Sequence, residues 1–345
     1  MRLGIVTGGG DCPGLNAVIR AAVVRTLRTY EGHMLGFEDG WLGLLENRVR
    51  ELDLDAISGI LPRGGTMLGT SRADPYREGG GLPALRKVFA QHALDGLLVC
   101  GGEGTLSAAS RLSDDGLPII GIPKTIDNDV RGTDFSCGFD TALSTVVRAV
   151  DALHTTAESH DRVIVLEVMG RTCGWLAVCA GLAGGADVVV APEQPTSIEE
   201  ICDFIRHRLA RGREFSVVVV AEGARFKPGP GGNVPETPQR HDSMGRVQYG
   251  GVGAMVAGEI ERRLGIETRT VTLGYVQRGG TPTAFDRLLG SRMGLAAVDL
   301  AAAGQYGRMV SLQGPSIQSV ELSVVREGPR PVNPELYDAA RVFFG

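Results

Sequence analysis

Residues 1–27 read MRLGIVTGGGDCPGLNAVIRAAVVRTL, which is a short apolar run, a glycine-rich turn and a longer amphipathic segment. Leu3–Thr7 is apolar without strict alternation, and this predicts a strand that is buried on both faces. From Leu15 to Leu27 the apolar residues recur at the spacing of one helical face. A strand, a turn and a helix in this order form the repeating unit of α/β proteins.

The same alternation continues along the chain, and a second clear helical face runs from Leu143 to Leu153. Strands that alternate with helices predict a mainly parallel, doubly wound α/β sheet. The predicted strands are Leu3–Thr7, Leu97–Cys100, Ile119–Ile122, Val163–Val168, Val188–Ala191, Val217–Ala221 and Thr270–Leu273.

Length and composition exclude several classes of protein. A chain of 345 residues is long enough for two domains. The net charge of −5 provides no basic field for a nucleic acid, so an anionic ligand must be small and held by local arginines. The first residues resemble a strand rather than a signal peptide, and no apolar run reaches the ~18 residues of a membrane span. We therefore expect a cytoplasmic protein without nucleic-acid or membrane partners.

Two further features concern cysteine and glycine. The six cysteines form no C-x-x-C pair and have no histidines at zinc spacing, so we expect buried thiols in a reducing compartment. The 50 glycines indicate tight turns and backbone that approaches a ligand closely. Between Phe226 and Gly251 lie four prolines and six glycines, which predict a long surface loop with a disordered tip.

Glycine-rich or acidic motifs follow three of the predicted strands. Residues 8–14, GGGDCPG, can cradle a phosphate at a helix N-terminus, but they lack the Lys-Ser/Thr ending of a P-loop. Residues 101–105, GGEGT, form a similar turn, in which we expect Thr105 to cap the next helix. Residues 123–129, PKTIDND, carry Asp127 and Asp129, of which one can ligate Mg²⁺ while the other takes a proton from a hydroxyl.

Two more strand ends carry Met169-Gly170-Arg171 and Glu222-Gly223. Ligands of open α/β sheets lie outside the carboxyl ends of the strands, so these motifs predict one shared site. Guanidinium groups can bind a phosphorylated substrate bidentately. The candidate arginines are Arg162, Arg171, Arg269 and Arg278.

The motifs together resemble those of the bacterial 6-phosphofructokinases, from Gly4 to about Arg330. The strings GGGDCPGLNAVIR, GTSR, GGEGT, PKTIDND, GTD…GFDTALSTVV, EVMGR and QRGG…DR occur in the family order. The resemblance implies two doubly wound, mainly parallel-sheet domains with the active site in the cleft between them. Residues 1–138 with 277–327 would bind the phosphoryl donor, and residues 139–276 with 328–345 would bind fructose 6-phosphate.

The resemblance also implies a magnesium-dependent phosphotransferase of glycolysis. Asp127 would deprotonate the sugar hydroxyl, Thr125 would orient it, Arg171 would neutralise charge on the phosphoryl group, and Gly10 would offer its backbone to that group. Glu103 and Asp129 would hold Mg²⁺, although most ATP-using relatives have Asp where Glu103 stands. The implied donor-binding residues are Gly10, Arg72, Gly102, Glu103, Gly104, Thr105 and Lys124.

On the sugar side, the implied residues include Thr125, Asp127, Arg171, Met169, Gly170 and Glu222. Arg162 and Arg269 of a neighbouring subunit would join Tyr275 and Arg278 around the 6-phosphate, so we expect a homodimer or homotetramer. Tyr275 replaces the usual histidine of the family and can still donate one hydrogen bond.

The resemblance leaves ATP and pyrophosphate open as donors. Pyrophosphate users typically have Asp where this chain has Gly104 and Lys where it has Lys124, whereas typical ATP users have Gly at both positions. We expect the glycine at position 104 to make ATP the phosphoryl donor, and we expect Lys124 to be a flexible cation beside the phosphates. An NAD-dependent oxidoreductase is a more distant alternative, for which only Glu31 stands near the spacing of a ribose-binding residue.

Overall fold

The computed structural model describes residues 1–77, 80–229, 234, 240–241, 247–248 and 250–345, and of residues 240–241 and 247–248 it describes the strands alone. The chain divides into two compact units. Unit 1 comprises residues 1–141 and 278–330, and unit 2 comprises residues 142–277 and 331–345. The predicted boundaries lie within three residues of these, and the separate roles expected of the two domains remain predictions.

The strands are β1 Arg2–Thr7, β2 His33–Phe37, β3 Val49–Glu51, β4 Gly96–Gly101, β5 Ile119–Pro123, β6 Val163–Val168, β7 Val188–Val190, β8 Ser216–Ala221, β9 Arg240–His241, β10 Val247–Gln248, β11 Thr268–Thr272, β12 Arg308–Gln313 and β13 Ser316–Glu321. The helices are α1 Leu15–Thr29, α2 Gly40–Leu45, α3 Gly81–Gln91, α4 Glu103–Asp114, α5 Phe139–Ser159, α6 Trp175–Gly184, α7 Ile198–Ala210, α8 Val252–Leu264, α9 Ala284–Ala302 and α10 Pro334–Arg341. Two 3₁₀ helices span Gly274–Arg278 and Leu322–Glu327. None of the helices in the described ranges is long and apolar enough to cross a membrane.

The sheet of unit 1 has the order β13-β12-β5-β4-β1-β2-β3. The pairings from β12 through β2 are parallel, and β3 and β13 are antiparallel at the two edges. The strands predicted at β1, β4 and β5 are confirmed. The sequence reasoning missed β2, β3, β12 and β13. Of these, β3 and β13 are edge strands, which expose one face and carry polar residues there. β2 and β12 lie inside the sheet and are largely buried, so that reason does not apply to them.

The sheet of unit 2 has the order β11-β6-β8-β7, and all its pairings are parallel. Every residue of β6, β7 and β8 is buried, which explains why Val, Leu and Ile dominate these strands. All four predicted strands are confirmed. Within the predicted loop of residues 226–251, β9 pairs with β10 in antiparallel fashion, and the predicted tip lies outside the described residues.

Helices α1 and α9 of unit 1 pack closely because glycines of α9 face α1. A Cβ built on Gly294 would lie 2.5 Å from the carbonyl oxygen of Val18, and one built on Gly290 would lie 2.9 Å from that of Gly14. The backbones therefore approach to a distance that no larger residue permits. All six cysteines are free, and five of them are buried as expected, whereas Cys179 is partly exposed. The reducing compartment stays a prediction.

Asp286, in the first turn of α9, joins the segment where the chain first leaves unit 1 to the segment where it returns. Its carboxylate accepts the N–H of Gly138 at 2.8 Å, and the N–H and hydroxyl of Thr141 at 2.8 and 2.6 Å. Thr283 caps α9 by accepting the N–H of Asp286 at 3.3 Å, and its own N–H binds the Thr141 hydroxyl at 3.0 Å. The start of α5 and the start of α9 are thus fixed to each other.

Burial raises the pKa of Asp286 from 3.8 to about 6, and the nearby charge of Asp140 acts in the same direction. Because the folded protein holds this proton more tightly than the unfolded chain, the resulting contribution to stability is complete below pH 3.8 and is lost as pH rises through about 6. We expect Asp286→Asn to remove this loss, which amounts to at most about 3 kcal/mol. Urea unfolding of both proteins between pH ~4 and ~7 measures it. Parallel stability curves would contradict the assignment.

Candidate active site

The glycine turn after β1 is fixed by hydrogen bonds to its backbone. The N–H of Gly8 donates to the carbonyl oxygen of Cys100 at 2.9 Å, and the N–H of Gly9 donates to that of Ser71 at 2.9 Å. The hydroxyl of Thr70 donates to the carbonyl oxygen of Gly9 at 2.6 Å. The GTSR motif, which includes Thr70 and Ser71, therefore supports the turn, and it brings the exposed Arg72 next to it.

The end of the turn requires glycine for two reasons. A Cβ on Gly10 would lie 2.5 Å from the guanidinium of Arg278, which donates to the carbonyl oxygen of Asp11 at 3.3 Å. Gly14 has φ = 102° and is the N-cap of α1. The turn thus leads directly to the positive end of a helix dipole, where an anion binds favourably.

Lys124 is not the flexible cation that the sequence suggested. Only 1% of its surface is exposed. Its ammonium donates to the carbonyl oxygens of Gly8 at 2.8 Å and Gly10 at 2.6 Å. Burial lowers the pKa of Lys124, and it raises the pKa of the neighbouring Cys12 and Cys100 thiols to about 12. Lys124 therefore belongs to the support of the glycine turn, and the buried thiols beside it are unreactive.

The GGEGT motif forms the start of α4, but the predicted cap is wrong. Gly102, in extended conformation, is the N-cap, and Thr105 lies in the first turn. The Thr105 side chain packs so closely that a Cβ on Gly8 would lie 2.8 Å from its methyl carbon. The Glu103 carboxylate accepts the Ser107 hydroxyl at 3.1 Å. Gly104 is exposed, and a Cβ built on it would meet no atom within 4 Å.

The segment after β5 presents two half-buried carboxylates, Asp127 and Asp129. The hydroxyl of Thr125 accepts the N–H of Asp127 at 3.1 Å. Asn128 between the two is buried at φ = 52°, and its side-chain oxygen accepts the N–H of Ser136 at 2.9 Å. The sequence reasoning gave Asn128 no role, although Asn is one of the few residues that adopt the left-handed region readily.

These motifs meet at one edge of the unit 1 sheet because β1, β4 and β5 are neighbouring parallel strands. A Cβ on Gly102 would lie 3.6 Å from that of Thr125. Among the described residues no three acidic, His or Cys side chains cluster as a complete metal site. The carboxylates of Glu103 and Asp129 are of the type that Mg²⁺ takes, because this hard cation is usually held by one or two carboxylates together with substrate phosphates and water. That these two residues hold it stays a prediction.

A second group of predicted residues meets in unit 2, at the carboxyl ends of β6 and β8. The N–H of Glu222 donates to the carbonyl oxygen of Val168 at 2.8 Å, and that of Gly223 donates to Gly170 at 3.0 Å. Met169 and Arg171 flank Gly170, which has φ = 137°. The sequence thus predicts correctly that these residues are neighbours.

Gln277 of the QRGG motif supports this group. The sequence reasoning missed this role of Gln277. It is fully buried, and its side chain accepts the N–H of Met169 at 3.2 Å and donates to the carbonyl oxygen of Gly274 at 3.0 Å. Tyr275, by contrast, is 78% exposed. The burial of Gln277 is not visible in the sequence, and only its position in the QRGG motif could have drawn attention to it.

Arg162 and Arg269 are not near Met169 in this chain. Arg162 precedes β6, and Arg269 lies beside Ile164, near the start of that strand. Both arginines pair with Glu267. Met169 follows the other end of β6, which is ~20 Å away for six extended residues. An arginine side chain does not span that distance, so these two arginines and the Met169 group form separate sites within one chain.

Similar proteins were found among curated sequences. The phosphofructokinase family profile matches residues 2–301. A pyrophosphate–fructose 6-phosphate 1-phosphotransferase of Amycolatopsis methanolica is 50% identical over 345 residues, the full length of both chains. An ATP-dependent 6-phosphofructokinase of Mycobacterium tuberculosis is 48% identical over 346 residues, again the full length of both.

The fold is shared with solved structures. Phosphofructokinase of Pichia pastoris in the T-state matches with a TM-score of 0.82 and 32% identity, over 94% of this chain and 35% of that longer one. Together with the motifs at the strand ends and the full-length relatives, this match establishes the family. The chain belongs to the phosphofructokinases, a family of glycolytic kinases that act on fructose 6-phosphate and oligomerise.

Proposed function

We propose that this protein is an ATP-dependent 6-phosphofructokinase that transfers the γ-phosphoryl group of MgATP to O1 of fructose 6-phosphate. The observation that carries the choice of donor is the open space around Gly104, where an added Cβ would meet nothing within 4 Å. Gly104 stands in the first turn of α4, beside the helix N-terminus that favours phosphate. Glycine leaves this space free for a nucleotide.

A carboxylate at position 104 would oppose ATP. In the proposed geometry it would stand near the path of the nucleotide's α-phosphate. Like charges ~4 Å apart in an effective dielectric of about 20 repel by roughly 4 kcal/mol. Pyrophosphate has no such extension, so it tolerates an acidic residue there, whereas Gly104 imposes neither charge nor bulk on ATP.

Pyrophosphate remains the second candidate donor, since relatives with both names match this chain almost equally. Identity is 50% to a pyrophosphate-named relative and 48% to an ATP-named one. Overall sequence identity therefore does not distinguish ATP from pyrophosphate as the donor of this protein. A lysine at position 124 is typical of pyrophosphate users. Here the Lys124 ammonium is hydrogen-bonded to the glycine turn, so its charge is a weaker argument for pyrophosphate as the donor.

The proposed chemistry uses positioning and charge rather than covalent catalysis. Asp127 accepts the proton of the sugar hydroxyl as O1 attacks the γ-phosphorus, the bond from that phosphorus to the bridging oxygen breaks and ADP leaves. Thr125 orients the hydroxyl. The backbone of Gly10 and the guanidinium of Arg171 stabilise the charge on the transferring group. Mg²⁺, held by Asp129 with Glu103, would neutralise the donor phosphates when bound. Met169, Gly170 and Glu222 hold the sugar, and Arg72 the donor.

The 6-phosphate site is proposed to require a second copy of the chain. Arg162 and Arg269 lie at the far end of β6 from Met169, so they would serve the sugar site of a neighbouring subunit. Tyr275 and Arg278 would complete that site. The surface exposure of Tyr275, at 78%, suits a residue that meets a ligand or a partner.

Gly104→Asp tests the donor. We expect its kcat/KM for ATP to fall roughly 10²–10³-fold, because ~4 kcal/mol of repulsion is added. Gly104→Ala, which adds volume without charge, should stay within a fewfold of wild type. Steady-state kinetics with ATP and with pyrophosphate provide the measurement, and unchanged Tm values confirm that folding is intact. A wild-type kcat/KM that is higher for pyrophosphate than for ATP would reverse the donor assignment.

Asp127→Ser tests the general base. We expect kcat to fall ~10²–10⁴-fold while KM for both substrates changes little, since the lost group acts on the proton in the transition state. Asp151→Ser, at an exposed carboxylate on α5, is the matched control. Near-normal turnover in Asp127→Ser would show that another group takes the proton.

Mixed oligomers test the shared site. Arg162→Ala and Asp127→Ser subunits should each be poorly active alone. If Arg162 acts in a neighbour's site, an interface between the two variants contains one site with both defects and one with neither. Co-refolding should then restore activity above that of either parent. Hybrids as inactive as their parents, or a fully active monomer, would exclude this arrangement.

A further inference from the structure

We propose that Lys124 is a positioning residue, which holds the glycine turn of residues 8–10 in the shape that receives the donor phosphates, and is not itself a donor ligand. This inference rests on the proposed phosphotransferase function but not on the identity of the donor. It departs from what the residue type suggests, since a lysine beside phosphates is usually taken for a direct contact.

The first argument is reach and burial. Lys124 follows β5, and the turn follows β1, which lies two strands away across β4. That separation is about 10 Å. An extended lysine side chain together with one hydrogen bond from its ammonium spans this distance. The side chain is used in this way: it is 1% exposed, and its ammonium binds two carbonyl oxygens of the turn. A group so enclosed is poorly placed to meet a ligand from solvent.

The second argument is the direction of the peptide groups. A trans peptide points its N–H opposite to the preceding carbonyl. Since the carbonyl of Gly10 points at the ammonium, the N–H of Asp11 points away from it. The described part of the chain offers no acceptor to the N–H of Gly10 or of Asp11, whereas those of Gly8 and Gly9 are bound. Lys124 thereby fixes the direction of the Asp11 N–H, whereas the Gly10 N–H lies opposite the Gly9 carbonyl that Thr70 holds. Free N–H groups of this kind are what a phosphate-binding turn requires.

The third argument is that the turn depends on few contacts. Besides Lys124, the carbonyl oxygens of residues 8–10 receive only the Thr70 hydroxyl, which binds Gly9, among the described residues. Without the ammonium, the carbonyls of Gly8 and Gly10 would lose charge-assisted hydrogen bonds in a largely buried setting. The peptide between Gly10 and Asp11 could then reorient, and the N–H of Asp11 would lose its fixed direction.

Lys124→Met tests the proposal, with Lys87→Met on the exposed face of α3 as the control. We expect kcat/KM for the better donor of the wild-type enzyme to fall on the order of 10²-fold, the usual effect of a ~1 Å misplacement. KM for fructose 6-phosphate should change less than about twofold, as only the donor side is disturbed. In the unliganded enzyme, amide hydrogen exchange in residues 8–12 should accelerate in Lys124→Met. Lys87→Met should leave the exchange rate and the kinetic constants unchanged.

An unchanged exchange rate in residues 8–12 together with a raised donor KM would overturn the proposal, because a direct ligand predicts that pattern. Using the better donor keeps the outcomes separate: a preference for pyrophosphate would reject the donor assignment and leave the role of Lys124 standing.

A second measurement needs no variant. Mild acetylation of the wild-type enzyme, followed by mass spectrometry, should modify the exposed Lys87 and leave Lys124 unmodified, with or without donor. Modification of Lys124 that the donor prevents would identify an accessible ligand and would overturn the proposal. This second test remains decisive if Lys124→Met fails to fold.

Discussion

The carboxylate of Asp286 is the interaction on which the arrangement of unit 1 depends. It accepts the N–H groups of Gly138 and Thr141 at the start of α5, and Asp286 lies in the first turn of α9. α9 packs against α1 through Gly290 and Gly294, and α1 starts directly after the glycine turn. A displacement of this one carboxylate would therefore propagate through two helices to the glycine turn of residues 8–10.

Two buried charges of opposite sign are used in complementary ways. The carboxylate of Asp286 collects N–H groups, and the ammonium of Lys124 collects carbonyl oxygens. Neither has a salt bridge among the described residues, so each is compensated by peptide dipoles and hydroxyl groups. Such pairing costs desolvation, yet it orients peptide groups rigidly, and rigid peptide groups are what a phosphoryl-transfer site uses.

Much of the fold and the grouping of the site could be predicted from the sequence. The buried strands were visible as unbroken apolar runs, and because parallel strands share an edge, motifs such as GGEGT and PKTIDND could be brought together from their order alone. Side-chain direction could not. Whether Lys124 points to solvent or into the turn depends on the packing across β4, which spacing does not encode. The cap of α4 was misassigned since Gly102 caps without a side chain.

The open surroundings of Gly104 also bear on how the family diversifies. A residue enclosed by neighbours can change only if they change with it, but position 104 has no such neighbours. If Gly104 decides the donor, as proposed, one substitution there can change specificity without disturbing its surroundings. Chains of nearly equal identity can then be named for different phosphoryl donors, as the relatives of this chain are.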